Sequence, residues 1–199
     1  MHPNPRFGWD DAGAMRAFVQ QVSFAQIVIA ADGRPLSAQA PVVIARDGSV
    51  RFHLARGNQL TGLLDGAPVL ASVTGTHFYV SPDWYGSVDQ VPTWNYRLVE
   101  IEGVARRLEE PDLRDLLDRL SAAQEGQLTP KPAWTMAKMD PNKLDMMLRA
   151  IVGFAIDAPS FRGVVKMGQN KAEAERQSVA AALRAIGKHE EAAAMEAPL

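Results

Sequence analysis

Residues 24–55 read FAQIVIAADGRPLSAQAPVVIARDGSVRFHLA, three apolar runs rich in Val, Ile and Phe cut by two Asp-Gly pairs. Asp-Gly between such runs is a hairpin signal: a tight turn that matches strand twist needs positive φ at its centre, which Asp and Gly tolerate. Antiparallel strands are therefore expected over 24–30, 36–45 and 50–55. Whatever follows must join a sheet already begun.

The rest of the chain extends that sheet. "RGNQLTGLLDG" from Arg56 is expected to form a short helix, capped by Asn58, with Leu60, Leu63 and Leu64 inward and Gly66 as its stop. "APVLASVTG" and "HFYVSP" suggest two strands, "TWNYRLVEIEGVARRL" a long one, and "IVGFAIDAP" and "FRGVVKMG" two more. Helical spacing appears behind Asp10 and Asp11, in "EPDLRDLLDRLSAAQEG" with its leucine face, in "DPNKLDMMLRA" and in "KAEAERQSVAAALRAIG". Many strands with short turns and peripheral helices imply an α+β chain, mainly antiparallel β, closed or nearly closed into a barrel. A single domain over 1–187 is expected, with 188–199 a flexible C-terminal tail.

Composition narrows the function classes. The chain has no cysteine, which removes disulfides, thiol nucleophiles and thiolate metal sites. Its histidines, at 2, 53, 77 and 189, show no metal-ligand spacing. No Gly-x-Ser-x-Gly, Walker loop or dinucleotide fingerprint is present. With 21 basic and 23 acidic residues the formal charge is −2, which speaks against direct DNA binding. Neither a basic leader nor a long apolar run occurs, so a cytoplasmic protein without membrane association is expected.

Three stretches could carry chemistry. "FHLARGNQ" brings His53 and Arg56 to the start of the expected helix, where free N–H groups and the helix dipole would favour a phosphate. The alternative is a surface ion pair for Arg56 and a satisfied core position for His53. "VSPDWYGSVDQVPTWNY" concentrates Trp84, Tyr85, Trp94 and Tyr96, whose broad faces and polar edges suit a planar ligand, a protein interface or barrel-end packing. "KMGQN" sets Lys166, Gln169 and Asn170 between a strand and the last helix, for donating to a ligand or for capping that helix.

Together "MHPNPRF", "FHLARGN", "SPDWYG", "VPTWNY", "AIVGFAI" and "KMGQN" resemble, in order and spacing, the PaiB-like FMN-binding negative transcriptional regulators. The resemblance spans nearly the whole chain. It implies an FMN-binding split barrel of pyridoxamine-phosphate-oxidase-like architecture, in which two subunits pair and hold FMN at their interface. By it, Ser81, Trp84, Trp94, Asn95 and Tyr96 would build the barrel end and dimer seam against the flavin ring. His53, Arg56 and Asn58 would face its phosphate and ribityl chain, with Lys166, Gln169 and Asn170 a second choice for that polar end. Gln39, Gln59, Asp83, Val88 and Gly168 stand where the family usually has His, Pro, Ser, Lys and Ser.

The function implied is a homodimeric FMN-binding protein of the regulator class. Two alternatives stay beside it: an FMN-dependent NAD(P)H oxidoreductase acting on a small acceptor, and a flavin-free module binding another small planar ligand.

Overall fold

The computed structural model describes residues 2–197. The elements are β1 (Gly8–Trp9), α1 (Ala12–Val22), β2 (Phe24–Ala31), β3 (Arg34–Ile44), β4 (Val50–Ala55), β5 (Pro68–Val80) and β6 (Thr93–Arg107). They continue as α2 (Glu110–Glu125), α3 (Pro141–Arg149), β7 (Ile151–Ile156), β8 (Ser160–Lys166), α4 (Glu173–Ala185) and α5 (His189–Glu196). No described helix is long and apolar enough to cross a membrane. The chain divides into two compact units: a larger one of residues 16–73 and 100–161, and a smaller one of 1–15, 74–99 and 162–199.

In the larger unit the first Asp-Gly pair forms the expected tight turn. Asp32 has φ +51° and Gly33 φ +71°, and Ala31 faces Arg34 across the hairpin. The second pair behaves differently. Only Gly48 has positive φ, and Asp47 turns its carboxylate onto the Ser49 amide at 3.0 Å and the Ser49 hydroxyl at 2.6 Å. That longer loop still returns β4 antiparallel to β3, with Val43 opposite Arg51.

Strand β2 pairs with β3 and β5, β4 with β3 and β7, and β7 with β6, all antiparallel. Strands β5 and β6 are neighbours, and beside them Gly66 N donates to Ala105 O at 2.8 Å while Ala105 N donates to Ala67 O at 2.9 Å. The ring β5-β2-β3-β4-β7-β6 is thus closed, which leaves no bare edge within it. Alternate positions are buried: Ala25, Ile27 and Ile29; Ala38, Ala40 and Val42; Val50, Phe52 and Leu54; Val69, Ala71 and Val73. Phe52 and Phe154 stack at 5.6 Å between centroids, on paired strands.

A second apolar cluster joins β7 to α2 and α3: Leu108, Leu113, Leu116, Leu120, Leu148 and Ala155. Gly153 makes that approach possible, since a Cβ there would lie 3.0 Å from Leu113 Cδ1 and 3.1 Å from Leu108 Cδ1. Arg51 locks the same face. It is 7% exposed, and it reaches Asp47 at 2.9 Å, Asp112 at 3.2 Å and Asp115 at 3.4 Å, so β4 and α2 share one buried cation.

In the smaller unit β1 pairs with β8, Trp9 opposite Gly163. A Cβ on Gly163 would fall 2.8 Å from both Trp9 Cβ and Met15 Sδ, so only glycine lets these pack. Helices α4 and α5 bury Val179, Leu183, Ala192 and Met195.

Three expectations are corrected. Residues 56–66 form turns and no helix: Gly57 and Gly62 disfavour one, and the Asn58 side chain accepts from Leu60 N at 2.9 Å as an Asx turn instead. Strand β5 runs unbroken through Gly75, where two strands were expected. Of the expected tail over 188–199, residues 189–196 are helical, because Ala192 and Met195 have an apolar surface to cover, and 198–199 lie outside the described residues.

Removing the shared cation should loosen α2. Arg51→Ala is expected to cost roughly 1.5–3 kcal/mol, the range for charge-assisted hydrogen bonds, read as a lower urea midpoint. The Ser49 hydroxyl and amide, with Arg51 beside them, hold the Asp47 carboxyl at about 2, below its usual 3.8. Its contribution is complete above 3.8 and is lost as pH falls toward 2; Asp47 is half exposed, so the loss is small. Ser49→Ala should flatten the acid limb of the stability curve over that interval.

Candidate functional site

In the larger unit His53 stands on β4 between the inward-facing Phe52 and Leu54, so its ring turns to the outer barrel face. There it lines a groove of about 450 Å³ together with Phe24, Pro41, Leu117, Leu120 and Trp134. Burial pushes the imidazole pKa below 6.5, and Nδ1 is buried with no hydrogen-bond partner. Phe24 is 52% exposed and Trp134 38%. Glu125 anchors the Trp134 segment, accepting from Trp134 N at 2.8 Å and pairing with Lys131. Among the described residues no cation lines this groove.

Arg56 and Asn58 follow in the turns after β4. Arg56 is exposed; its Nε donates to Arg149 O at 2.6 Å and one Nη to Ile151 O at 3.4 Å. No helix begins here, so the helix-dipole argument for a phosphate lapses. Asn58 spends its side-chain oxygen on Leu60 N and keeps its amide nitrogen.

The remaining expected residues lie in the smaller unit and fall into two groups. Trp94 is 56% exposed, stacked on His77 at 6.4 Å and met edge-on by Tyr79 at 6.3 Å. Half-buried Tyr96 projects to the same side of β6 two residues on. Trp84 is half-buried in the 3₁₀ turn Pro82–Tyr85, which starts after Ser81.

Asn95, on the opposite side of β6, is 1% exposed. With Lys166 and Asn170 it lines a cavity of about 190 Å³ that also receives Phe7, Tyr85 and Lys171. Gln169 is spent locally, accepting from Met167 N at 2.8 Å and donating to Val165 O. Gly168 has φ +76°, which a serine there would adopt only under strain.

Comparison with known proteins gives these groups a context. Residues 1–159 match the family described as "Putative FMN-binding domain". The chain belongs to this FMN-binding family. It is 31% identical over 166 residues to "Protease synthase and sporulation protein PAI 2" of Bacillus subtilis, covering 81% of this chain and 79% of that protein. Its fold is similar to the FAD and heme binding protein from Mycobacterium smegmatis, at TM-score 0.59 and 18% identity over 81% of this chain and 74% of the other. It is likewise similar to the flavocytochrome Anf3 from Azotobacter vinelandii, at TM-score 0.60 and 15% identity over 84% and 73%. The chain is thus a PaiB-like member of an FMN-binding family on a split-barrel fold, and its cofactor class is flavin.

Tested against that cofactor, the groove offers a flavin ring apolar walls and an imidazole with an unspent nitrogen, with Ser121, Gln124 and the Lys131-paired Glu125 as further polar members. Reading the sequence found His53 but missed Phe24, Pro41 and Trp134. A lone Trp in the polar segment "LTPKPAWTMAK" was the available signal.

Because the folded protein keeps His53 neutral below its usual 6.5, the unfolded chain binds the extra proton first. Stability should therefore fall as pH drops through 6.5, and His53→Leu should remove that part of the slope in denaturant titrations at pH 5.5 and 7.5.

Proposed function

We propose that the chain works as a homodimer that holds FMN with its ring in the His53–Trp134 groove. The observation that carries this reading is the groove itself: largely apolar on its walls, half open at Phe24 and Trp134, and lined by a half-buried histidine whose buried Nδ1 has no partner. Apolar residues left that exposed support a second chain closing over them. The Tyr79–Trp94 face of the smaller unit, equally exposed, supports a seam between copies there.

Arg56 and Asn58 are the groups we assign to the phosphate and ribityl end. Arg56 lies three residues beyond His53, about 10 Å along extended chain. One of its guanidinium nitrogens remains available after the two backbone carbonyls are served. Lys166, Gln169 and Asn170 are set aside for this end: Gln169 is committed to its own backbone, and the cavity at Lys166 and Asn170 is too small for the cofactor.

When bound, FMN supplies electron-transfer chemistry that no side chain here could perform. The chain's own residues bind and orient: Trp134 and Phe24 exclude water, and His53 presents a neutral hydrogen-bonding edge. Redox use with a nicotinamide donor is favoured over operator reading, because the net charge is −2 and α2 carries Glu110, Asp112, Asp115, Asp118 and Glu125 against Arg114 and Arg119. A regulatory role would then follow from the flavin state.

Titration of the full chain with FMN, followed by flavin fluorescence, tests the site. Wild type should bind; Arg56→Ala should weaken binding by roughly ten-fold or more, the effect of losing a charge-assisted hydrogen bond of about 1.5–3 kcal/mol, and Trp134→Ala should weaken it through loss of an aromatic wall. Unchanged affinity in both variants removes the groove from consideration. Sedimentation should show a dimer, and Trp94→Lys should shift it toward monomer; a wild-type monomer at ten-micromolar concentration would refute the dimer.

A further inference from the structure

The cavity in the smaller unit has a charge problem that the flavin reading does not use. Two ammonium groups, Lys166 and Lys171, line it, and among the described residues neither has a carboxylate at ion-pair distance. Lys166 Nζ has the Thr93 hydroxyl at 2.6 Å and the Phe7 ring at 6.0 Å. Lys171 Nζ has the Gln90 side-chain oxygen and the Tyr85 ring at 4.9 Å. Glu175, whose carboxyl the Ser87 hydroxyl, Ala172 N and then the Lys171 charge hold below its usual range, accepts from the Ser87 hydroxyl at 2.6 Å, Ala172 N at 3.0 Å and the Gln90 amide at 3.4 Å and does not line the cavity.

Around these cations the other groups are neutral donors. Asn95 is nearly fully buried, and its amide nitrogen meets only the Met195 sulfur, a weak acceptor, at 3.0 Å. Asn170 and the Tyr85 phenol complete the polar part, and Phe7 and Val91 the apolar part. Burial disfavours the charged form of Lys166, which is what an ammonium lacking a counter-ion experiences.

We infer that this cavity is a binding site for a small organic carboxylate, its charge between Lys166 and Lys171 and its apolar remainder toward Phe7 and Val91. At about 190 Å³ it lies below the ~300 Å³ lower bound of pockets for larger ligands, so it takes an anion the size of a single substituted ring or smaller. A carboxylate is favoured over phosphate because the donors are two cations and a few amides on side chains, beside an apolar wall. A phosphate would leave that wall facing a fully polar ion.

Calorimetric titration of the full chain with sodium benzoate, acetate and inorganic phosphate, each with and without bound FMN, tests this. Benzoate should bind saturably with or without FMN and leave flavin fluorescence unchanged, with acetate weaker and phosphate weakest. Lys171→Gln and, separately, Lys166→Gln should each weaken benzoate at least roughly ten-fold. Thermal melting shows which variant is folded, and either one suffices. No saturable benzoate binding, equal binding in a folded variant, tighter binding of phosphate, or release of FMN by benzoate would each overturn the inference. Failure of the chain to bind FMN at all would leave it standing, since the benzoate arm without FMN is independent.

Discussion

A single guanidinium holds the larger unit's outer layer in place. Arg51 is buried on β4 and shared among Asp47, Asp112 and Asp115, so the hairpin loop and the first turns of α2 are tied to the same cation. Burying a charge is costly unless it is paired and hydrogen-bonded, and here three half-exposed carboxylates and the Ser49 hydroxyl meet that need. The leucine face of α2 supplies nondirectional attraction to β7; the ion cluster sets where along the barrel the helix sits. That position is what delivers Leu117, Leu120 and Glu125 to the rim of the His53 groove.

The barrel was legible because its signals are local. Asp32-Gly33 demands positive φ at both residues, and alternating apolar positions in β2 and β4 leave one face for the core. What could not be read were the choice between two local uses of one side chain and contacts set by distant chain. Nothing in "RGNQLTGLLDG" alone says that Asn58 will serve Leu60 as an Asx turn rather than cap a helix. Likewise, the C-terminal "HEEAAAME" is weakly amphipathic by itself, and it is helical with Met195 buried against Asn95.

The site was legible only in part. His53, Asn95, Lys166 and Asn170 do line concave surfaces, but the sequence stretches that contain them do not show which share one. Trp134 and Phe24 went unnoticed because each sits in an unremarkable stretch and gains meaning only when the groove is formed. The aromatic loop resolves into two separate roles. Trp94 joins an exposed ring cluster, while Tyr85 turns inward to a lysine. On β6 itself exposed Trp94 and buried Asn95 divide in the same way, because neighbours along a strand point to opposite faces.

Flavin held against His53 and Trp134, as proposed, would shield the backbone around both residues. Hydrogen exchange by mass spectrometry, with and without saturating FMN, tests it most directly. Slower exchange on FMN binding is expected in peptides covering 20–26, 50–55 and 124–136; protection confined to 81–96 and 166–171 would place the flavin elsewhere.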